Sequence, residues 1–214
     1  MLPYTFVAIE GNIGAGKTTL SQLLARRLEA NLILEQFTDN PFLPYFYENP
    51  QRYAFPVELF FMTERHKQLS EHFARPDLFK SLTIADYFFI KTLLFARNNL
   101  NEQEFRLFQR LFAVLNANFP KPDLLLYLHR PVPVLKKYIQ ERGRAIEQNM
   151  PENYLQCLQA TYLEYFKQET DIPIVLLDLN DSDFVNCPQV FEDILSLLYQ
   201  KHRPGLQYIS LVRQ

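Results

Sequence analysis

Gly11-Asn12-Ile13-Gly14-Ala15-Gly16-Lys17-Thr18 follows a short β-branched and aromatic run, Tyr4 to Glu10 (YTFVAIE). It opens Lys17 to Glu29, where Leu20, Leu23, Leu24 and Leu28 recur at helical spacing. The eight residues fit GxxxxGK[ST], a loop joining a strand to a helix. Glycines in such a loop let backbone N–H groups curl around phosphate oxygens without Cβ obstruction, and the helix N-terminus adds its positive end. Lys17 is placed to reach the β- and γ-phosphates and the Thr18 hydroxyl to sit on Mg²⁺, with Thr19 continuing into the helix. The chain holds only 5 glycines in 214 residues, well below the ~7% of an average chain. Gly11, Gly14 and Gly16 are three of the five, so the scarce residue is concentrated where phosphate contact needs it.

Outward from this loop, strands alternate with helical stretches. Asn31 to Glu35, Leu82 to Asp86, Asp123 to His129 and Pro173 to Leu179 read as four further strands. Helices are expected at 17–29, 41–48, 52–74, 87–97, 102–117, 133–142, 151–169 and 188–200. Pro56 fits the long one only near its first turn. The pattern predicts one α/β domain over 1–214, a five-stranded parallel sheet flanked by helices on both faces.

Net charge is −2, from 22 Lys+Arg and 24 Asp+Glu, which argues against a dedicated duplex-DNA binder. No apolar run approaches the ~20 residues of a membrane span, and Met1-Leu2-Pro3-Tyr4 lacks the basic flank of a signal peptide; a cytoplasmic protein is expected. Cys157 and Cys187 are expected as buried free thiols, and the four histidines show no metal-ligand spacing. The glycine pattern is not GxGxxG, which disfavours a dinucleotide site, and no NKxD follows to read guanine in a bound nucleotide. A small kinase acting on a small acceptor fits best.

In a parallel sheet, ligands gather beyond the carboxyl ends of the strands. Glu35 ends one strand and can act as general base toward an acceptor hydroxyl. Asp86 ends another and reads either as an acid binding Mg²⁺ through water or as an N-cap for a helix starting at Tyr87. Glu10 is assigned no chemistry. Arg142-Gly143-Arg144-Ala145-Ile146-Glu147-Gln148 places two arginines around a glycine, suiting a lid at about 142–149 that closes over transferring phosphate.

The loop GNIGAGKTT, the stretch FYENPQRYAFPVELFFMTER, the lid RGRAIEQ followed by MPENYL, and the late LDLNDSDF occur in order across nearly the whole chain. In this the chain resembles the deoxynucleoside kinases that phosphorylate deoxycytidine, deoxyguanosine and deoxyadenosine, in their compact bacterial branch. The resemblance implies a P-loop kinase fold, ATP as phosphoryl donor, Mg²⁺, a deoxynucleoside acceptor and a helix-packed homodimer. It implies that Glu35 is the base for the 5′-hydroxyl and that Tyr47 and Glu147 hold the 3′-hydroxyl. Arg142 and Arg144 then act on the donor phosphates, and Arg65 lies near the 5′ and base end. Phe55 belongs to the wall that stacks on the base, and Asp183 and Phe184 to the loop bordering the donor adenine.

Two departures matter. Where the family carries an acidic-Arg-Ser triplet, this chain has Asp86-Tyr87-Phe88, and Thr92 stands where several relatives carry aspartate. Glu58 occupies the place of a base-reading glutamine. An ionised carboxylate only accepts hydrogen bonds, which suits the adjacent N1–H and N2–H donors of guanine; pairing with Arg65, or protonation on burial, would change that. A purine deoxynucleoside is the expected acceptor. The rival readings are a nucleoside monophosphate kinase of the thymidylate type and a non-catalytic nucleotide-binding regulator.

Overall fold

A computed structural model describes residues 2–36, 40–75, 79–117 and 119–211. The strands are β1 Phe6–Gly11, β2 Asn31–Ile33, β3 Thr83–Ala85, β4 Leu124–His129, β5 Pro173–Asp178 and β6 Gly205–Ser210. The helices are α1 Lys17–Leu28, α2 Leu43–Glu48, α3 Pro50–Ala74, α4 Ile90–Asn99, α5 Glu102–Asn116, α6 Val132–Arg142, α7 Glu152–Gln168 and α8 Pro188–Leu198. The chain groups into two compact units. One comprises Met1–Leu34, Asp77–Phe88 and Lys121–Gln214; the other comprises Glu35–Pro76 and Phe89–Pro120.

The first unit is built on one parallel sheet of order β2-β3-β1-β4-β5-β6. Its strands alternate in facing. Val7, Ile9, Leu126, Leu128, Val175 and Leu177 share a core with Leu20 and Leu24 of α1, Leu135 and Ile139 of α6, and Ile194 and Leu198 of α8. On the opposite face the Tyr127 ring meets Tyr162 and Phe166 of α7, with centroids 5.2 and 5.0 Å away. Each fully buried aliphatic or aromatic side chain contributes roughly 1.5–3 kcal/mol, so this double covering fixes the register of the strands. Strand β1 lies between β3 and β4, where the carboxyl edge of an α/β sheet opens a crevice.

Among the described residues the sheet has six strands where five are expected. The sixth, β6, follows Pro204 and pairs in parallel with β5 at the sheet edge. Its side chains are half-buried or exposed, so it lacks the apolar run that reveals an interior strand. Both cysteines are exposed rather than buried. Cys157 lies on the outer side of α7, and Cys187 immediately precedes α8.

The second unit is helical. Asn49 caps α3, its side chain accepting the Arg52 N–H at 3.3 Å. Asn101 and Glu104 form a capping box at the start of α5. Pro56 lies inside α3, two residues deeper than the sequence predicts, because the helix begins at Pro50. Ala54, Val57, Glu58, Met62, Arg65 and Leu69 are buried along α3, and this burial on both sides of Pro56 outweighs its local cost of about 3 kcal/mol. Phe105, Phe108 and Phe112 form the buried face of α5.

Candidate active site

The phosphate loop leaves β1 and enters α1 as the sequence predicts. Gly14 and Gly16 take φ of +81° and +93°, the left-handed region that favours glycine. A Cβ on Gly14 would lie 2.7 Å from the Leu135 carbonyl oxygen, and one on Gly16 would lie 2.9 Å from the Phe184 ring. The Asn12 side chain is buried, donating to the Leu155 carbonyl at 2.8 Å and accepting the Ile13 N–H at 2.8 Å; it ties the loop to α7. Ala15 is buried, and its N–H donates to the Asn12 carbonyl. The Lys17 ammonium donates to the Gly11 and Asn12 carbonyls at 2.9 and 3.0 Å, which holds it over the loop. Thr18 and Thr19 are exposed at the helix start.

Asp86 is 2% exposed and accepts the Thr18 hydroxyl at 2.6 Å. Helix α4 begins only at Ile90, with Phe89 at its cap, so Asp86 is not an N-cap and the helix expected from residue 87 starts three residues later. The reason lies in Glu10. This fully buried carboxylate accepts the Phe88 N–H at 2.7 Å and the Tyr162 hydroxyl at 2.9 Å, which holds the 86–88 turn in place. Residues assigned no role in the sequence thus position Asp86 against Thr18.

Arg130 is a second residue that sequence reasoning misses. It is buried, donating to the Ala15 carbonyl at 3.3 Å, the Asn180 carbonyl at 2.8 Å and the Ser182 carbonyl at 2.8 Å. It therefore joins the phosphate loop to the 180–184 loop, and burial pulls its pKa below the usual arginine value. Phe184 is buried against Gly16, with Arg130 over its ring at 5.7 Å. Asp183 accepts the N–H groups of Val185 and Asn186 and the Asn186 side-chain amide. The Asn186 backbone bond is foremost in holding its carboxyl below the usual range. Both side chains shape the loop.

In the segment expected to form a lid, Gly143 ends α6 with φ +74°. Arg142 and Arg144 both pair with Glu147, which is buried in the short 3₁₀ turn Ala145–Glu147. Two of the expected phosphate cations and one expected sugar ligand are thus brought together.

The second unit carries the other predicted residues. Glu35 is buried, as are both cations on it. Arg65 donates from Nε to Glu35 Oε1 at 2.8 Å, with Nη2 2.7 Å from the same oxygen, and from Nη1 to the Thr92 hydroxyl at 3.1 Å. Lys91 pairs with Glu35 Oε2. Glu58 lies on the same helix as Arg65 but is not its hydrogen-bond partner; its Oε1 accepts the Asn99 side-chain amide at 2.6 Å. Its buried Oε2 has no hydrogen-bond partner among the described residues. Burial pushes its pKa up to about 7 against the pull of Arg65, Asn99 and Lys91. Phe55 is half-buried, edge-on to Phe108 with centroids 6.4 Å apart. Tyr47 belongs to α2, and its side chain lies outside the described residues.

The deoxynucleoside kinase family profile matches residues 7–202. Deoxyguanosine kinase of Bacillus subtilis is 34% identical over 196 residues, 88% of this chain and 93% of that one. Deoxyadenosine/deoxycytidine kinase of the same organism is 27% identical over 195 residues, 89% of this chain and 90% of that one. The solved structure of deoxyadenosine kinase from M. mycoides with dCMP and dCDP superposes with a TM-score of 0.77 at 24% identity, covering 90% of this chain and 98% of that one, and so shares its fold. By the profile match the chain belongs to the deoxynucleoside kinase family of ATP-dependent phosphotransferases.

Proposed function

We propose that this cytoplasmic enzyme transfers the γ-phosphoryl of ATP to the 5′-hydroxyl of a purine deoxynucleoside, with deoxyguanosine preferred above neutral pH. The observation that carries the base assignment is Glu58. Its buried Oε2 has no hydrogen-bond partner among the described residues, while Oε1 accepts from the Asn99 amide. Ionised, the carboxylate accepts from guanine N1–H and N2–H; protonated, it offers one donor and one acceptor, as glutamine does toward adenine or cytosine. With a pKa of about 7, both forms are populated near neutrality. The relative at 34% identity is a deoxyguanosine kinase, which supports the reading.

Glu35 accepts the 5′-hydroxyl proton as the new oxygen–phosphorus bond forms and the bond from the γ-phosphorus to the ADP leaving oxygen breaks. Lys17 and the loop N–H groups hold the donor phosphates, and Arg142 and Arg144 exchange their Glu147 partner for phosphate oxygens as the lid closes. Glu147 is then released toward the sugar 3′-hydroxyl, with Tyr47. Phe55 flanks the base, and residues 183–184 border the adenine through their backbone. The hard oxygen pair of Thr18 and Asp86 fits Mg²⁺, which keeps few protein ligands and takes the rest from phosphate and water. Bound there, it would neutralise charge on the transferring phosphoryl. Among the described residues no helix is long and apolar enough to cross a membrane.

Rates for the four deoxynucleosides with Mg·ATP, measured at pH 6 and pH 8, test the assignment. The ratio of deoxyguanosine to deoxyadenosine kcat/KM is expected to rise about a hundredfold from pH 6 to pH 8, because the ionised form gains about tenfold while the protonated form loses as much, and Glu58→Gln is expected to abolish the rise. A pH-independent preference for deoxycytidine would refute it. Stability has its own sign. Glu58 has a folded pKa above its unfolded value, so the folded state binds more protons between about pH 4.5 and 7 and stability falls as pH rises through that window. Glu58→Gln should therefore raise Tm more at pH 8 than at pH 5.

The homodimer is proposed to use α5, where Leu107, Leu111 and Val114 lie exposed at helical spacing. Leu111→Glu combined with Val114→Glu is expected to shift the sedimenting species from dimer to monomer. An unchanged mass would exclude this face.

A further inference from the structure

The turn that follows β3 brings no cation. Tyr87 is fully buried and Phe88 nearly so. The next cation along the chain is Lys91, only 5% exposed, in the first turn of α4. Its ammonium pairs with Glu35 Oε2 and lies 5.4 Å from the centroid of the Phe95 ring. On the other carboxylate oxygen is Arg65, whose guanidinium faces Phe61 at 5.1 Å and Phe95 at 6.0 Å. Glu35 is thus gripped at both oxygens by cations from two different helices.

A lysine is seldom buried, because its charge is strongly hydrated, and a single carboxylate partner is already satisfied by Arg65. Structural pairing alone therefore leaves one cation in excess. With Glu58 protonated, Glu35, Arg65 and Lys91 carry a net charge of +1, which becomes +2 when Glu35 takes up a proton; with Glu58 ionised each value falls by one. That excess matches the event at this carboxylate, since the hydroxyl that gives up its proton becomes a phosphate ester carrying negative charge. We propose that Lys91 is a positioning residue for the base: it holds Oε2 while Arg65 holds Oε1, and it supplies the second cation beside the carboxylate. The inference rests on Glu35 being the base.

Groups facing Glu35 include Arg65 and Glu58 on α3 and Lys91 on α4, with Thr92 bound to the Arg65 fork. Removing an opposite charge raises a carboxyl pKa by about 1–3 units. The decisive measurement is the pH profile of kcat at saturating nucleoside and Mg·ATP. Because Glu58 titrates in the same range, the profile is taken in both the native and the Glu58→Gln backgrounds. Lys91→Met is expected to lower kcat about 10–100-fold. Its acid limb should move up by about one unit or more in both backgrounds. Lys91→Arg should restore the limb and most of the rate. Should Lys91→Met fail to fold, Lys91→Gln keeps a donor toward Oε2 without the charge and is expected to show the same shift. A variant that loses activity with its acid limb unmoved has lost only packing, and the proposal is overturned. Glu35→Gln, run alongside, separates the two readings. Near-normal turnover there removes the base itself, whereas an inactive Glu35→Gln with an unshifted Lys91 variant removes Lys91 alone.

Discussion

Glu35→Gln is expected to lower kcat by about 10²–10⁴-fold while ATP affinity stays within about twofold. The side chains are nearly isosteric, so the variant keeps the shape of the site and one carbonyl oxygen as acceptor. What it loses is the ability to take a proton. ATP affinity should survive because the phosphate loop belongs to the other compact unit and makes its own hydrogen bonds. A stability effect must be separated from the catalytic one. Arg65 and Lys91 are each about 5% exposed, and a neutral amide leaves both charges uncompensated. Breaking a buried ion pair by removing one partner typically costs about 3–5 kcal/mol, so Tm should fall as well. Turnover should therefore be measured well below the lowered Tm, on protein shown to bind ATP. Turnover within tenfold of the native enzyme would exclude Glu35 as the base.

Legibility in the sequence followed the range of the interactions. The phosphate loop could be read because its chemistry is local: glycine spacing, the preceding strand and the following helix lie within about 25 residues. Asp86 could be read as a candidate because it ends a strand. Its role was ambiguous until Glu10 was seen holding the Phe88 N–H, a contact between segments 78 residues apart. Lys91 and Arg130 could not be read for the same reason. Their partners, Glu35 for one and three backbone carbonyls for the other, come from distant segments, and an isolated buried cation has no periodic signature. The expectation of buried thiols failed through averages: cysteine is often buried, but Cys157 lies on the polar side of α7 and Cys187 in the loop before α8. The edge strand β6 was missed because half-exposed residues alternate too weakly to stand out.

Glycine spacing also yields a graded test of the phosphate loop. Gly14→Ala is expected to destabilise the protein by about 2–5 kcal/mol and to weaken ATP binding at least tenfold. Two costs add. An L-residue in the left-handed region costs roughly 1–2 kcal/mol. Overpacking a tight site costs about 1–3 kcal/mol more. The second cost is firm because the obstructing atom is backbone: the new Cβ would lie 2.7 Å from the Leu135 carbonyl oxygen, with an Ile139 methylene at 2.9 Å. A flexible side chain could swing aside, whereas moving that carbonyl means moving α6 or the loop itself, and displaced loop N–H groups no longer converge on phosphate. Gly143 is the control. Its φ is +74°, but a Cβ there meets nothing within 4 Å, so Gly143→Ala should carry only the conformational cost, about 1–2 kcal/mol. Thermal unfolding of both variants with and without ATP measures the difference. Equal losses of Tm, with nucleotide stabilisation retained in Gly14→Ala, would show that the loop relaxes around the added methyl and that its close approach to α6 does not hold the phosphate-binding shape.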